Sequence, residues 1–190
     1  MRADDVLQDV VALANERRIR RYYAYALHGT DLEGNALYIE RLGDLDAQAL
    51  LDDFEIEVLE RNHVLSNERC AAVSQKRTVV MDAAGLGSKT LAGLHVLKAF
   101  IAIDERYYPE TLRRCLIVNA PWVVHATYAL VRPWLDAVTA EKIQIVSTSE
   151  TSDTLLKYIA REQLPDFLGG ECKCEKGCVP KAENETTAGH

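Results

Sequence analysis

From residue 76 onward the chain alternates between two periodicities, and that alternation constrains the fold more than any single motif. The β-branched run Thr78 to Met81, the short apolar run Leu116 to Val118 and the run Lys142 to Ser147 have the length and composition of strands. Between the first two, Leu91, Leu94, Leu97, Phe100 and Ile101 fall on one side of a helix. A second helix separates the last two strands, and a third is expected from Thr151 to Glu162. Strand and helix in turn predict an α/β domain with a largely parallel sheet. Upstream, Tyr22 to His28 and Ala36 to Glu40 flank GTDLEGN, whose Gly29, Asp31, Gly34 and Asn35 supply turn chemistry. They read as a β-hairpin or two neighbouring strands. A short helix over Leu45 to Leu51 and a longer amphipathic one over Asp53 to Val73, with Phe54, Val58, Leu59, Leu65 and Cys70 as its stripe, complete the pattern.

The helix between the last two strands, from about Trp122 to Leu135, is unusual. Trp122, Val123, Val124, Ala126, Tyr128, Ala129, Leu130, Val131, Trp134 and Leu135 surround it, and only His125, Thr127 and Arg132 are clearly polar. A helix apolar nearly all round is buried, inserted in a membrane or set against something apolar. Its length falls short of the roughly 20 residues that a bilayer demands. A core helix and the wall of an apolar ligand cavity both satisfy the pattern.

Composition narrows the function classes. With 190 residues, 48% of them hydrophobic, the chain is expected to be one domain with a sizeable core. A net charge of -7 argues against nucleic acid as a partner, since that binding relies on clustered cations. Any contact with an anionic membrane must use a local basic patch or inserted apolar side chains. An N-terminal helix is expected within residues 1–21, ending in Arg17, Arg18, Arg20 and Arg21, which are either a solvated helix end or such a patch. The first residues mix acids with apolar side chains, so they predict neither a signal peptide nor a membrane span, and a cytoplasmic location is expected.

Of the five cysteines, Cys70 and Cys115 stand alone and read as reduced, buried small hydrophobes. Cys172, Cys174 and Cys178 form a C-x-C-x-x-x-C run. Three thiols at that spacing, with no histidine nearby in sequence, are a weak zinc pattern beside paired C-x-x-C knuckles, and no metal site is assigned to them. Residues 171–190 are read as a flexible tail.

Enzymatic motifs fail on inspection. GLGSKT lacks the G-x-x-x-x-G-K-[ST] spacing of a phosphate loop, there is no G-x-S-x-G elbow, and the five histidines form no H-x-x-x-H pair. The polar groups that look placed bracket the apolar helix. Glu110 follows Pro109, expected at the first turn of a short helix where a carboxylate would flank exposed N–H groups. Thr139 opens Thr139-Ala140-Glu141-Lys142, where a hydroxyl, free N–H groups and a cation would receive a phosphate. Ordinary helix capping explains the same residues.

These segments also carry a family likeness. HGTDLEGNALYIERLG (28–43), VVMDAAGLGS (79–88), YYPETLRRCLIVNAPW (107–122), VRPWLDAVTAEKI (131–143) and LLKYIAREQLPDFLGG (155–170) stand in order over residues 22–170. In them the chain resembles the CRAL-TRIO lipid-binding domain of Sec-fourteen-like phosphatidylinositol transfer proteins. The family usually begins with a helical N-terminal subdomain, and the expectation is that this chain either starts after it or lacks it. The resemblance implies a mixed, largely parallel five-stranded sheet flooring a hydrophobic pocket, with helices around it and a gate helix, here Trp122 to Leu135. Gate and pocket would be lined by Trp122, Val124, Tyr128, Val131, Trp134 and Tyr38. Leu27, Arg77 and Val79 stand where dual-specificity members hold choline lipids. The headgroup residues implied are Glu110, Thr139 and Lys142. The expected function is non-enzymatic: a monomeric carrier is expected, binding phosphatidylinositol or a similar phospholipid without another cofactor and touching membranes transiently. A carrier of tocopherol, retinoid or sterol, or a protein-interaction adaptor, are the alternatives.

Overall fold

The computed structural model describes residues 10–180, excepting the side chains of residues 88–90. Five strands form one sheet in the order β1-β2-β3-β4-β5: β1 (Ala24–Thr30), β2 (Ala36–Arg41), β3 (Arg77–Asp82), β4 (Leu112–Val118) and β5 (Ile143–Ile145). The first pair is antiparallel and every later pair parallel, as the alternation predicted. The hairpin turn is held by one buried carboxylate. Asp31 accepts the amides of Glu33 and Asn35 at 2.9 Å and the Thr78 hydroxyl of β3 at 2.6 Å. Residues GTDLEGN therefore fix the hairpin and also dock it on the sheet.

Side chains alternate across the strands, so each face has its own composition. On one face Ala24, Ala26, Leu37, Ile39, Val80, Leu116 and Val118 meet Leu155, Ile159, Leu164 and Leu168 from the C-terminal segment. That segment begins with helix α7 (Thr151–Leu155), where a longer helix was expected, and then winds through turns.

The opposite face is covered by helices. Helix α1 (Val10–Ile19) packs Ala12 on Leu65 of α3 (Ile56–Val73). Between them α2 (Ala47–Asp53) starts at Asp46, whose carboxylate accepts the Ala49 amide. Helix α4 (Leu94–Tyr107) adds Val96 to the cluster of Ile19, Tyr25, Leu50, Phe54 and Leu59. The basic end of α1 is partly spent inside this layer. Arg20 bonds Glu16 and the Tyr25 carbonyl, and Arg18 lies over the Phe54 ring. Residues 1–9 of the expected N-terminal helix lie outside the described residues.

The flexible tail needs correction over residues 171–180. Cys172 pairs with Pro165 in a β-bridge, and Cys178 and Val179 are buried in the cluster under the sheet. A Val at this position removes apolar surface from water by packing, so the segment belongs to the domain. Residues 181–190 lie outside the described residues.

Candidate lipid-headgroup site

The Tyr107-Tyr108-Pro109-Glu110 turn joins α4 to β4, and its neighbours hold it. The Tyr108 hydroxyl donates to Glu68 of α3 at 2.6 Å, while Thr111 returns its amide and hydroxyl to the Tyr108 carbonyl. Glu110 sits in this turn with φ of 60°, a left-handed conformation uncommon outside glycine. The expected short helix at Pro109 is absent, so Glu110 is not a first-turn cap. Its carboxylate instead meets Lys142 Nζ at 3.3 Å.

Lys142 is placed by the far end of the segment that joins β4 to β5. Helix α5 (Trp122–Val131) runs into a 3-10 turn (Arg132–Trp134) and then α6 (Ala137–Glu141). Lys142 closes α6, its amide donating to the Thr139 carbonyl and its own carbonyl accepting from Cys115 on β4. Backbone bonds thus bring Lys142 beside Glu110, and its side chain keeps 20% of its surface. Thr139 stands differently from expectation. Helix α6 starts two residues earlier, capped by Asp136, whose carboxylate accepts the Thr139 amide at 2.9 Å. Bonds from the Thr139 hydroxyl and amide hold Asp136 below the usual carboxylate range. The Thr139 amide is therefore not a free anion donor, because an acid already occupies that place.

Helix α5 begins where the VNAPW motif predicts a break. Asn119, at φ of 50°, ends β4, with its amide bonded to Thr151 and its side chain to Asp82. Val124 and Val131 are the buried residues of α5, and Tyr128 and Trp134 are half-buried, with Lys98 of α4 lying over the Trp134 ring. The opposite stripe of α5 faces water: Trp122, His125, Ala126, Ala129 and Leu130 are exposed, Trp122 at 80%. These positions recur at helical spacing and make one continuous side. Trp122, expected to line the pocket, thus points outward.

Beneath α3 and α4 the sheet encloses a cavity of about 60 Å³. Tyr38, Glu40, Val79 and Met81 line it from the strands, and His63, Cys70 and Asp104 from the helices. Ligand pockets for drug-sized molecules measure about 300–1,000 Å³, well above this volume. Of the expected lining residues, Tyr38 alone borders the cavity. Its polar wall is ordered. Asp104 accepts from Arg77 at 2.8 Å and Asn67 at 2.7 Å and pairs with His63 at 2.8 Å, whose ring stacks on Phe100. Burial alone would raise the Asp104 carboxyl, but these partners hold it below its ordinary range. Glu40 goes the other way: burial raises it, only partly offset by a hydrogen bond from Tyr23. This network escaped the sequence reading. The readable signal was Tyr38-x-Glu40 on one side of β2 opposite Arg77 at the start of β3, with His63 and Asn67 one helical turn apart.

A family model of the CRAL/TRIO domain matches residues 20–170. The chain belongs to the CRAL/TRIO domain family. Among curated relatives, it is 35% identical over 177 residues to the phosphatidylinositol/phosphatidylcholine transfer protein SFH4 of Arabidopsis thaliana, covering 85% of this chain and 29% of that protein. It is 31% identical over 176 residues to the Sec14 cytosolic factor of Schizosaccharomyces pombe, covering 84% of this chain and 60% of the relative. This CRAL/TRIO chain therefore spans under a third of that plant relative and under two thirds of the fission-yeast one. The crystal structure of Sfh5 superposes with a TM-score of 0.60 at 21% identity, over 73% of this chain and 52% of that one, a likeness of fold. The residues matched by the CRAL/TRIO model run from the end of α1 through the five strands to Gly170. Among the described residues no helix is long and apolar enough to cross a membrane.

Proposed function

We propose that this CRAL/TRIO domain binds a phospholipid, phosphatidylinositol in the first place, and carries or presents it at a membrane surface. The observation that carries the reading is the Lys142–Glu110 pair at 3.3 Å beside a helix with an exposed apolar stripe. A lysine with a partner exposed at 72% of its side chain can exchange that partner for a phosphate, leaving the carboxylate to accept bonds from inositol hydroxyls. Thr139 contributes through its backbone carbonyl, which orders Lys142.

Acyl chains would enter between sheet and helices when α5 moves, each buried CH₂ gaining about 0.8 kcal/mol. The stripe of Trp122, Ala126, Ala129 and Leu130 would meet the bilayer during exchange, which makes membrane contact peripheral and transient. The names of the relatives, which are transfer proteins, support a lipid ligand and a non-enzymatic role. Transfer of labelled phosphatidylinositol between vesicles tests the reading. Lys142→Ala and Glu110→Ala are expected to lower the rate at least about tenfold, the worth of one charge-assisted bond near 1.4 kcal/mol. Unchanged transfer by both variants would reject the headgroup assignment.

A further inference from the structure

On the side of the sheet away from the lipid site, the fold completes a ligand set that the sequence leaves one member short. His28 lies on β1, an edge strand, with the same strand parity as Ala24 and Ala26, and so it faces the C-terminal segment. That segment is bent back on itself. Cys172 donates its amide to the Leu164 carbonyl and accepts from Asp166, and a turn closed by the Gly177 amide on the Cys174 carbonyl returns the chain. Gly177 has φ of +82°, which lets the turn reverse tightly enough to set Cys178 beside Cys172. One ring nitrogen of His28 and the sulfurs of Cys172, Cys174 and Cys178 then all lie within 4.8 Å of one another.

We infer that His28, Cys172, Cys174 and Cys178 form a structural zinc site. Three thiolates and one imidazole are a standard donor set for tetrahedral zinc, with all four positions filled by protein and none left for substrate. The spacing agrees. A Zn–S bond of about 2.3 Å in a tetrahedron sets sulfurs about 3.8 Å apart. The Cys172 and Cys174 sulfurs are 3.7 Å apart. The His28 ring also bonds to the Gln163 backbone, the second contact by which zinc-bound imidazoles are fixed in orientation. Gln163 in turn accepts the Thr30 amide at 2.9 Å, so the strand bearing His28 is tied to the segment bearing the thiols.

The consequence is architectural. Zinc would fasten residues 172–178 to the exposed edge of β1, shielding an edge that otherwise offers unpaired backbone groups. It would also hold Cys178 and Val179 in the core.

The full chain, purified reduced and metal-free, is titrated with cobalt(II) alone and then zinc(II). One equivalent of cobalt should bind with thiolate charge-transfer and tetrahedral absorption bands, and zinc should displace it. Cys174→Ser, at an exposed position, and His28→Gln should each weaken cobalt binding more than about 100-fold, beyond the 10- to 100-fold cost of losing an outer-shell partner. Cys115→Ala, remote from the cluster, should bind like the parent chain. Hydrogen exchange adds a readout that does not depend on colour: zinc should slow exchange over residues 171–180. Binding without thiolate bands, His28→Gln binding as tightly as the parent, or a disulfide within the cluster in the reduced protein would each overturn the site.

Discussion

The two faces of the sheet share the same strands and differ in almost everything else. Toward the C-terminal segment, Leu37, Ile39, Val80, Leu116 and Val118 are closed over by Leu155, Ile159, Leu164 and Leu168, each nearly without exposed surface. One residue along each strand, Tyr38, Glu40, Arg77, Val79 and Met81 turn to a cavity bordered by His63 and Asp104. The cavity face gathers carboxyls, a guanidinium and an imidazole around open space, and each costs desolvation that its pairing at best offsets. The Asp31–Arg114 pair of the closed face instead sits at the hairpin end of its strands. The closed face therefore carries stability. The cavity face spends some of it on the polar network that borders the cavity.

Stability measurements can break that contrast. On the closed face, Leu116→Ala should lower unfolding free energy by about 2–5 kcal/mol, the cost of a buried leucine with its residual cavity. On the cavity face, Met81→Leu should cost under about 1.5 kcal/mol. Equal losses in denaturant melts would show that both faces are packed for stability alone.

The pH dependence sharpens the comparison with a smaller effect. Glu40 is raised above its ordinary value by burial, so its folded state favours the proton. Its contribution is present at low pH and is lost as pH rises through the folded value. Asp104, held low, behaves oppositely: its contribution is present above the unfolded value and lost as pH falls through the folded one. Glu40→Gln should consequently gain stability over the parent as pH rises above the range in which Glu40 is protonated. A gap independent of pH would contradict the buried carboxyl. The smallest stability effect belongs to Trp122→Ala, exposed at 80%, which should shift stability by no more than about 0.5 kcal/mol while reducing vesicle binding.

Much of this fold was legible because period and turn chemistry act locally. The strand-helix alternation predicted the parallel part of the sheet, and GTDLEGN predicted its hairpin. Motif resemblance singled out Glu110 and Lys142, which the turns before β4 and after α6 bring together. What stayed hidden depends on distances across the chain or on single dihedral angles. Nothing local told that Asp136, not Thr139, caps α6, or that Glu110 adopts a positive φ. The resemblance implied that Trp122 lines the pocket, and the apolar pattern of α5, nearly all round, could not say which stripe faces water. His28 joined the three cysteines only when β1 and the C-terminal segment were laid side by side.

The central claim is that the helix-covered face takes one phospholipid. Native mass spectrometry of the chain after incubation with vesicles of mixed composition tests it most directly, since the bound mass identifies the ligand. The account predicts one phosphatidylinositol per chain, lost from Lys142→Ala. A bare chain, or a sterol or prenol mass in its place, would contradict it.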